Sequence, residues 1–222
     1  MSAVRCALIL VCVLAGASCQ QLLEAPSRDE LYEPLDLSEA IAVSVIDLTE
    51  APEIEPGNAE LVLWALADWS SALNGRLRFY RVPAEEDALI RVRFVPPYID
   101  QYGEMFAITV DGRRGAIVYV RPDTEALGPA IARRARHDPL FRESIVYQTC
   151  LHELGHALGL GHTRTYADIM YSMAFGGDIE EYLLRYRRRL REPGDMETQS
   201  ALSRGDRARI RALYAAKTLS GP

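Results

Sequence analysis

His152-Glu153-Leu154-Gly155-His156-Ala157-Leu158-Gly159-Leu160-Gly161-His162 is the stretch from which the rest of the chain can be read. It contains three of the four histidines in 222 residues. His152 and His156 are four apart, so on a helix their imidazoles project from one face and can share one ion. Glu153 is rotated about 100° from His152. Its carboxylate is therefore expected beside that ion rather than on it, where an activated water would lie. Gly159 can take a left-handed conformation and end the helix, letting the chain turn back to present His162 as a third nitrogen. Three neutral imidazoles leave a fourth position open, the arrangement of a catalytic rather than a structural zinc. The alternative, histidines merely packed on a core helix, is outweighed because five fixed residues of these types rarely meet by chance.

Working upstream, Asp138-Pro139 supplies an N-cap with proline at the first helical position. The zinc helix is predicted from Pro139 through Ile145, Val146 and Leu151 to Gly159. Before it come strand candidates at Ala40–Ile46, Leu77–Val82, Ala88–Val95, Met105–Val110 and Gly115–Arg121. Asp111-Gly112 is a turn signal that joins the last two as a hairpin. Between the first two strands, Asn58 is read as the N-cap of a long helix whose face is lined by Leu61, Trp64, Ala65, Ala67, Trp69 and Leu73, ending at Asn74-Gly75. The stretch Pro52–Pro56 reads as a loop. Downstream, a short helix is predicted over Asp178–Arg191 and a last one over Gly205–Ala216. Strands interleaved with helices in this order predict an α+β or α/β domain built on one sheet.

At the histidine stretch the chain resembles the metzincin metalloproteases, which join this extended motif to a tight turn bearing a methionine beneath the metal. Asp168-Ile169-Met170-Tyr171 stands at a suitable distance, and Met170 is the matching methionine. The matrixin branch is the nearest likeness. Thr163 follows the third histidine where matrixins carry a small hydroxyl residue, and Tyr171 follows Met170 as in the matrixin pattern. Ser172 stands where other branches place a metal-binding tyrosine. The likeness extends to Trp69–Phe79 and Asp87–Phe94, similar to the matrixin helix A and third strand. It also takes in Leu202-Ser203-Arg204-Gly205-Asp206 through Tyr214, similar to the C-terminal helix. The resemblance implies a zincin catalytic domain over 38–218, of α+β class. One twisted mixed sheet would pack on a long helix A and the zinc helix, with a Met-turn and a C-terminal helix. It implies one catalytic zinc on His152, His156 and His162, with Glu153 as catalytic base. The peptide substrate would lie along an edge strand, here Met105–Val110.

The departures from that family are informative. No P-R-C-G-x-P-D segment precedes residue 38, so latency through a cysteine bound to zinc is not expected. A second, structural zinc on three histidines and an aspartate is not expected either, because only His137 is left over. His137 itself is read as a solvated helix cap. Calcium, which the family often binds, is left open with no site placed. The 174–200 stretch is longer than the usual matrixin connection and suggests a bacterial variant.

Composition bounds the partners. Hydrophobic residues make up 49% and charged residues 25%, which fits a globular domain with its own core. The net charge of −6 offers no basic surplus for phosphates, so no nucleic-acid partner is expected. Arg185-Tyr186-Arg187-Arg188-Arg189-Leu190-Arg191 looks basic, yet Tyr182, Tyr186 and Leu190 fall at helical spacing. This predicts an amphipathic helix docked by its aromatics, with a solvated basic face. The apolar run Cys6–Ala15 after Arg5 is too short to span a membrane and is laid out like an export signal. Ala15-Gly16-Ala17 gives a cleavage pattern, so residues 1–17 are read as a signal peptide and 18–37 as an acidic linker. Alternatively, Gly16-Ala17-Ser18-Cys19 resembles a lipobox and would leave a lipid anchor on Cys19. Either way the protein is expected to be exported, with no transmembrane helix, as a monomer acting on proteins or peptides. Cys150 is read as a small buried hydrophobe, with a disulfide to Cys19 as the lesser alternative.

The function expected is that of an exported zinc endopeptidase. Zinc would lower the pKa of its bound water toward about 7, and Glu153 would take and pass on the proton. The rival is a catalytically idle, zinc-stabilised envelope binding or scaffold protein, for which Glu153 would have no use. A narrow peptidase acting on one partner is a third reading.

Overall fold

In the computed structural model, residues 33–49, 57–97 and 102–219 are described. The export signal, Cys19, most of the acidic linker and the Pro52–Pro56 loop lie outside them. Leu35 is already fully buried in the core, upstream of the expected domain start at Ser38.

Five strands form one mixed sheet: β1 (Ile41–Asp47), β2 (Phe79–Arg81), β3 (Ile90–Phe94), β4 (Gly103–Val110) and β5 (Arg113–Val120). Their spatial order is β2-β1-β3-β5-β4. β1 pairs in parallel with β2 and β3, and β3 with β5, while β4 closes the edge antiparallel to β5. The alternation in β3 shows how the sheet sorts its faces. Ile90, Val92 and Phe94 are buried, while Arg91 and Arg93 point to the opposite side and are half-buried. On that side Arg93 clasps Glu85 through two hydrogen bonds of 2.5 and 2.9 Å and donates to the Tyr119 hydroxyl at 3.0 Å. The hairpin turn is the predicted one: Asp111 and Gly112 both have positive φ, 49° and 75°, which the two-residue turn between twisted strands requires.

Two helices cover the apolar face, α1 (Asn58–Ala72) and α3 (Pro139–Ala157), packed on each other. The indole of Trp69 on α1 is fully buried, and its Nε1 donates to the Leu151 carbonyl of α3 at 3.0 Å. The N-cap of α1 is Gly57, not Asn58. The Glu60 carboxylate accepts from the Gly57 amide at 3.1 Å, and the Asn58 side chain is drawn off to Asp47, 2.7 Å away. The cap of α3 is as expected, with Asp138 accepting from the Phe141 amide and Pro139 at the first position.

A helix with no counterpart in the sequence reading, α2 (Pro129–His137), precedes α3. It buries only Ile131, Ala132 and Ala135, and ends on an exposed His137. After the site come α4 (Ile179–Arg187), a short α5 (Asp195–Thr198) and α6 (Arg204–Leu219). As expected, Tyr182, Tyr186 and Leu190 are buried. Much of the basic stretch is engaged within the domain: Arg187 holds Asp138, Arg188 holds Glu181, and Arg189 donates to the Ser200 carbonyl. Cys150 is a free, fully buried thiol. Among the described residues no helix is long and apolar enough to cross a membrane.

Candidate metal centre

α3 carries His152, Glu153 and His156 to the end of the zinc helix. The chain leaves it through Gly159, whose φ of 104° is the left-handed turn foreseen for that position. The Gly159 amide donates to His156 O and the Leu160 amide to Gly155 O, both at 2.9 Å, so the reversal is tied to the last helical turn. The reversal brings His162 opposite the helix. The three Nε2 atoms then lie 3.1–3.2 Å from one another.

This convergence fits a small cation. The Nδ1 of His152 faces the Ile169 carbonyl at 2.7 Å, and that of His156 faces the Leu160 carbonyl at 2.7 Å. A carbonyl can only accept, so both Nδ1 atoms carry the proton and both Nε2 atoms offer lone pairs. Tetrahedral zinc with Zn–N near 2.0–2.1 Å would hold its nitrogens about 3.3 Å apart, close to the spacing found. Burial, the largest cause in each case, pushes His152 down to about 4 and also lowers His156 and His162. All three therefore stay neutral, as metal ligands must. Among the described residues these three form the one group of donors suited to a metal ion.

Glu153 is buried and packs against the start of the edge strand. A Cβ added at Gly103 would sit 2.7 Å from its Oε1, so the close approach depends on glycine there. Among the described residues no hydrogen bond holds its carboxylate. Burial and the nearby Glu104 carboxylate push Glu153 up to about 8 in the metal-free chain. Beside the histidines opens a cavity of about 250 Å³, bordered by Thr149, Glu153, Tyr171 and Ser172.

The supports of the site come from far along the chain. Thr163 and Tyr171 form a parallel bridge, and the Thr163 amide donates to Met170 O at 2.8 Å. The side chain of Met170 is fully buried under the zinc helix, where a Cβ on Gly155 would come within 2.3 Å of its sulfur. Asp206, on the first turn of α6, is fully buried. It accepts from the amides of Ile169 (2.8 Å), Met170 (3.3 Å) and Ser203 (2.9 Å). Ser203 returns the favour as a cap, accepting from the Asp206 amide at 2.9 Å, and donates to Asp168 at 2.5 Å. Tyr182 of α4 donates to the Asp168 carbonyl at 2.8 Å and lies 3.2 Å from that of Ile169. Further along α6, Arg209 donates to the Gly161 carbonyl at 2.7 Å, and Tyr214 to that of Leu158 at 2.9 Å.

The structure brings together the three histidines named from the sequence, with Glu153 beside them and Met170 beneath the helix. Sequence reasoning missed Gly155, Tyr182, Asp206 and Arg209 as their supports. Ser203-x-x-Asp206 is a helix-start signature that could have placed the cap. Nothing local announces that its carboxylate also holds two amides of the methionine turn.

No curated protein sequence matches the chain. Among solved structures it is similar to the crystal structure of archaemetzincin from Methanopyrus kandleri. The identity is 15% and the TM-score 0.41, covering 79% of this chain and 96% of that one. The family model for matrixin, the M10 peptidases, matches residues 44–184, from the first strand to the helix beyond the methionine turn. The chain belongs to the matrixin family and is a zinc metallopeptidase.

Proposed function

We propose that this chain is an exported endopeptidase in which His152, His156 and His162 hold the zinc and Glu153 moves the proton. The observation that carries the reading is the meeting of three neutral imidazoles, two of them oriented by backbone carbonyls, with a carboxyl that has no hydrogen bond among the described residues, at the mouth of a cavity. Zinc, when bound, supplies a Lewis acid that activates water and draws charge from the scissile carbonyl. A divalent cation beside Glu153 also favours its carboxylate over the carboxylic acid. Glu153 then accepts the proton of the attacking water and delivers it to the leaving amine. Among the described residues nothing else competes for its oxygens, and its backing against Gly103 keeps it at the rim.

β4 is the edge of the sheet and begins at this rim. An extended peptide can add to it through backbone hydrogen bonds, which bind a chain without reading its side chains. The adjoining cavity would then receive a side chain next to the scissile bond. Export is supported by the Cys6–Ala15 run and the Ala15-Gly16-Ala17 pattern that follows it.

The test is zinc content together with cleavage of a quenched mixed-peptide library, with and without chelator, in wild type and Glu153→Ala. One zinc per chain in both proteins is expected, with turnover about 10²–10⁴-fold lower in the variant. Equal zinc and no cleavage by wild type would favour the idle envelope scaffold. Undiminished cleavage by a clean Glu153→Ala preparation would remove Glu153 from the chemistry.

A further inference from the structure

The cavity beside the histidines has apolar walls from Leu127, Ile145, Ile179 and Leu183. Such walls alone would suit an aliphatic side chain. Two other lining residues, Gln148 and Tyr102, break the pattern.

Gln148 lies one turn before His152 on α3 and is 4% exposed. Its Nε2 donates to the Ser144 carbonyl at 3.0 Å and, more loosely, to the Leu183 carbonyl of α4 at 3.5 Å. Both partners are acceptors only. The amide therefore cannot be turned over without setting oxygen against oxygen. Its orientation is fixed, and its Oε1 is left buried with no partner. The hydroxyl of Tyr102, just before β4, is likewise buried with no partner among the described residues. Burial raises its ionisation well above the ordinary phenol range, so it remains a neutral donor and acceptor. An orphaned group of this kind destabilises a fold unless something meets it. Both residues line the one cavity at the reacting centre, whose walls away from the histidines and Glu153 are largely apolar.

Resting on the peptidase reading above, we infer that Gln148 and Tyr102 select a substrate side chain with a neutral tip that both donates and accepts hydrogen bonds. A carboxamide or a phenol fits that description, and an aliphatic or unsubstituted aromatic end does not. The tip would give a hydrogen to Gln148 Oε1 and take one from the Tyr102 hydroxyl. A side chain without such a tip would leave both groups dry and unpaired, which is the strong form of discrimination.

The experiment uses quenched peptides identical except for one residue, varied in turn on either side of the scissile bond. The informative pairs are Gln against Met and Tyr against Phe, matched in size and differing in the tip. With zinc-loaded wild type, kcat/KM should favour Gln over Met, or Tyr over Phe, by about tenfold or more at one of the two positions. The ratio should fall toward one in Gln148→Met and in Tyr102→Phe, with zinc still at one per chain. Calorimetric binding of the uncleaved peptides to Glu153→Ala should show the same preference without turnover. Ratios near one at both positions in wild type would overturn the inference and leave the peptidase intact, because water rather than substrate would then meet the two groups. Unchanged ratios in both variants would overturn it too. Cleavage of none of the peptides by zinc-loaded protein would break the peptidase reading and this inference with it.

Discussion

The residues proposed to hold the metal and the residues that support them are distributed through the chain in opposite ways. His152, His156 and His162 fall within eleven consecutive residues, and helix geometry plus one left-handed glycine brings them together. His156 is aimed from within that stretch by the Leu160 carbonyl, while other supports come from outside it. The Ile169 carbonyl fixes His152, Asp206 holds the amides of Ile169 and Met170, and Arg209 ties down the Gly161 carbonyl beside His162. A local stretch can thus specify which atoms converge while a distant helix decides how rigidly they do so. The two regions should fail differently when altered: the first in chemistry, the second in stability and metal affinity together.

The largest separation between them is expected from Asp206→Ala. Two buried amides and the half-buried one of Ser203 would lose their acceptor, lowering stability by about 2–4 kcal/mol. Zinc affinity should fall about 10–100-fold although no ligand is touched. Denaturant unfolding and competition with a chelator read the two effects. Unaltered zinc affinity in a folded variant would show that the histidines aim themselves.

A smaller effect is expected from Gly155→Ala, which lies inside the histidine stretch yet belongs to the support. Helix propensity favours alanine by about 1 kcal/mol, but the new Cβ would collide with the Met170 sulfur and crowd Trp69. Overpacking should win, with a net loss of about 1–3 kcal/mol. A variant at least as stable as wild type by urea unfolding would mean that Met170 is not wedged under the helix.

The smallest effect concerns Glu153, the proposed base. In the zinc-free chain Glu153 has a folded pKa near 8, above its ordinary 4.5. Between those values the folded state binds the extra proton, so stability falls as pH rises. From pH 7.5 to 9, above the ordinary histidine value of 6.5, the loss should be on the order of 1 kcal/mol. It should vanish in Glu153→Gln, and zinc should flatten it in wild type by favouring the carboxylate. A wild-type slope indistinguishable from that of Glu153→Gln in the absence of zinc would remove the claim that burial strains this group.

What the sequence made legible follows the same division. The His-to-His spacing, the Gly159 reversal, the Asp111-Gly112 hairpin and the Asp138-Pro139 cap are all settled by neighbours in the chain, and each stands where it was expected. The cap of α1 was misplaced because Asn58 is claimed by Asp47, eleven residues earlier. α2 went unseen because it buries only three residues and carries arginines on the rest of its surface. The meaning of Gln148 and Tyr102 depends on a cavity assembled from several elements, and neither residue carries a local pattern that announces it.

The position of Asp206 also bears on the order in which the protein is made. Synthesis delivers the three histidines first and this carboxylate only 44 residues after His162. A nascent chain can therefore contain every ligand while the turn that orients His152 still lacks its clasp. Any chain stopped before residue 206 carries the parts of a peptidase without the carboxylate that holds the turn beneath them.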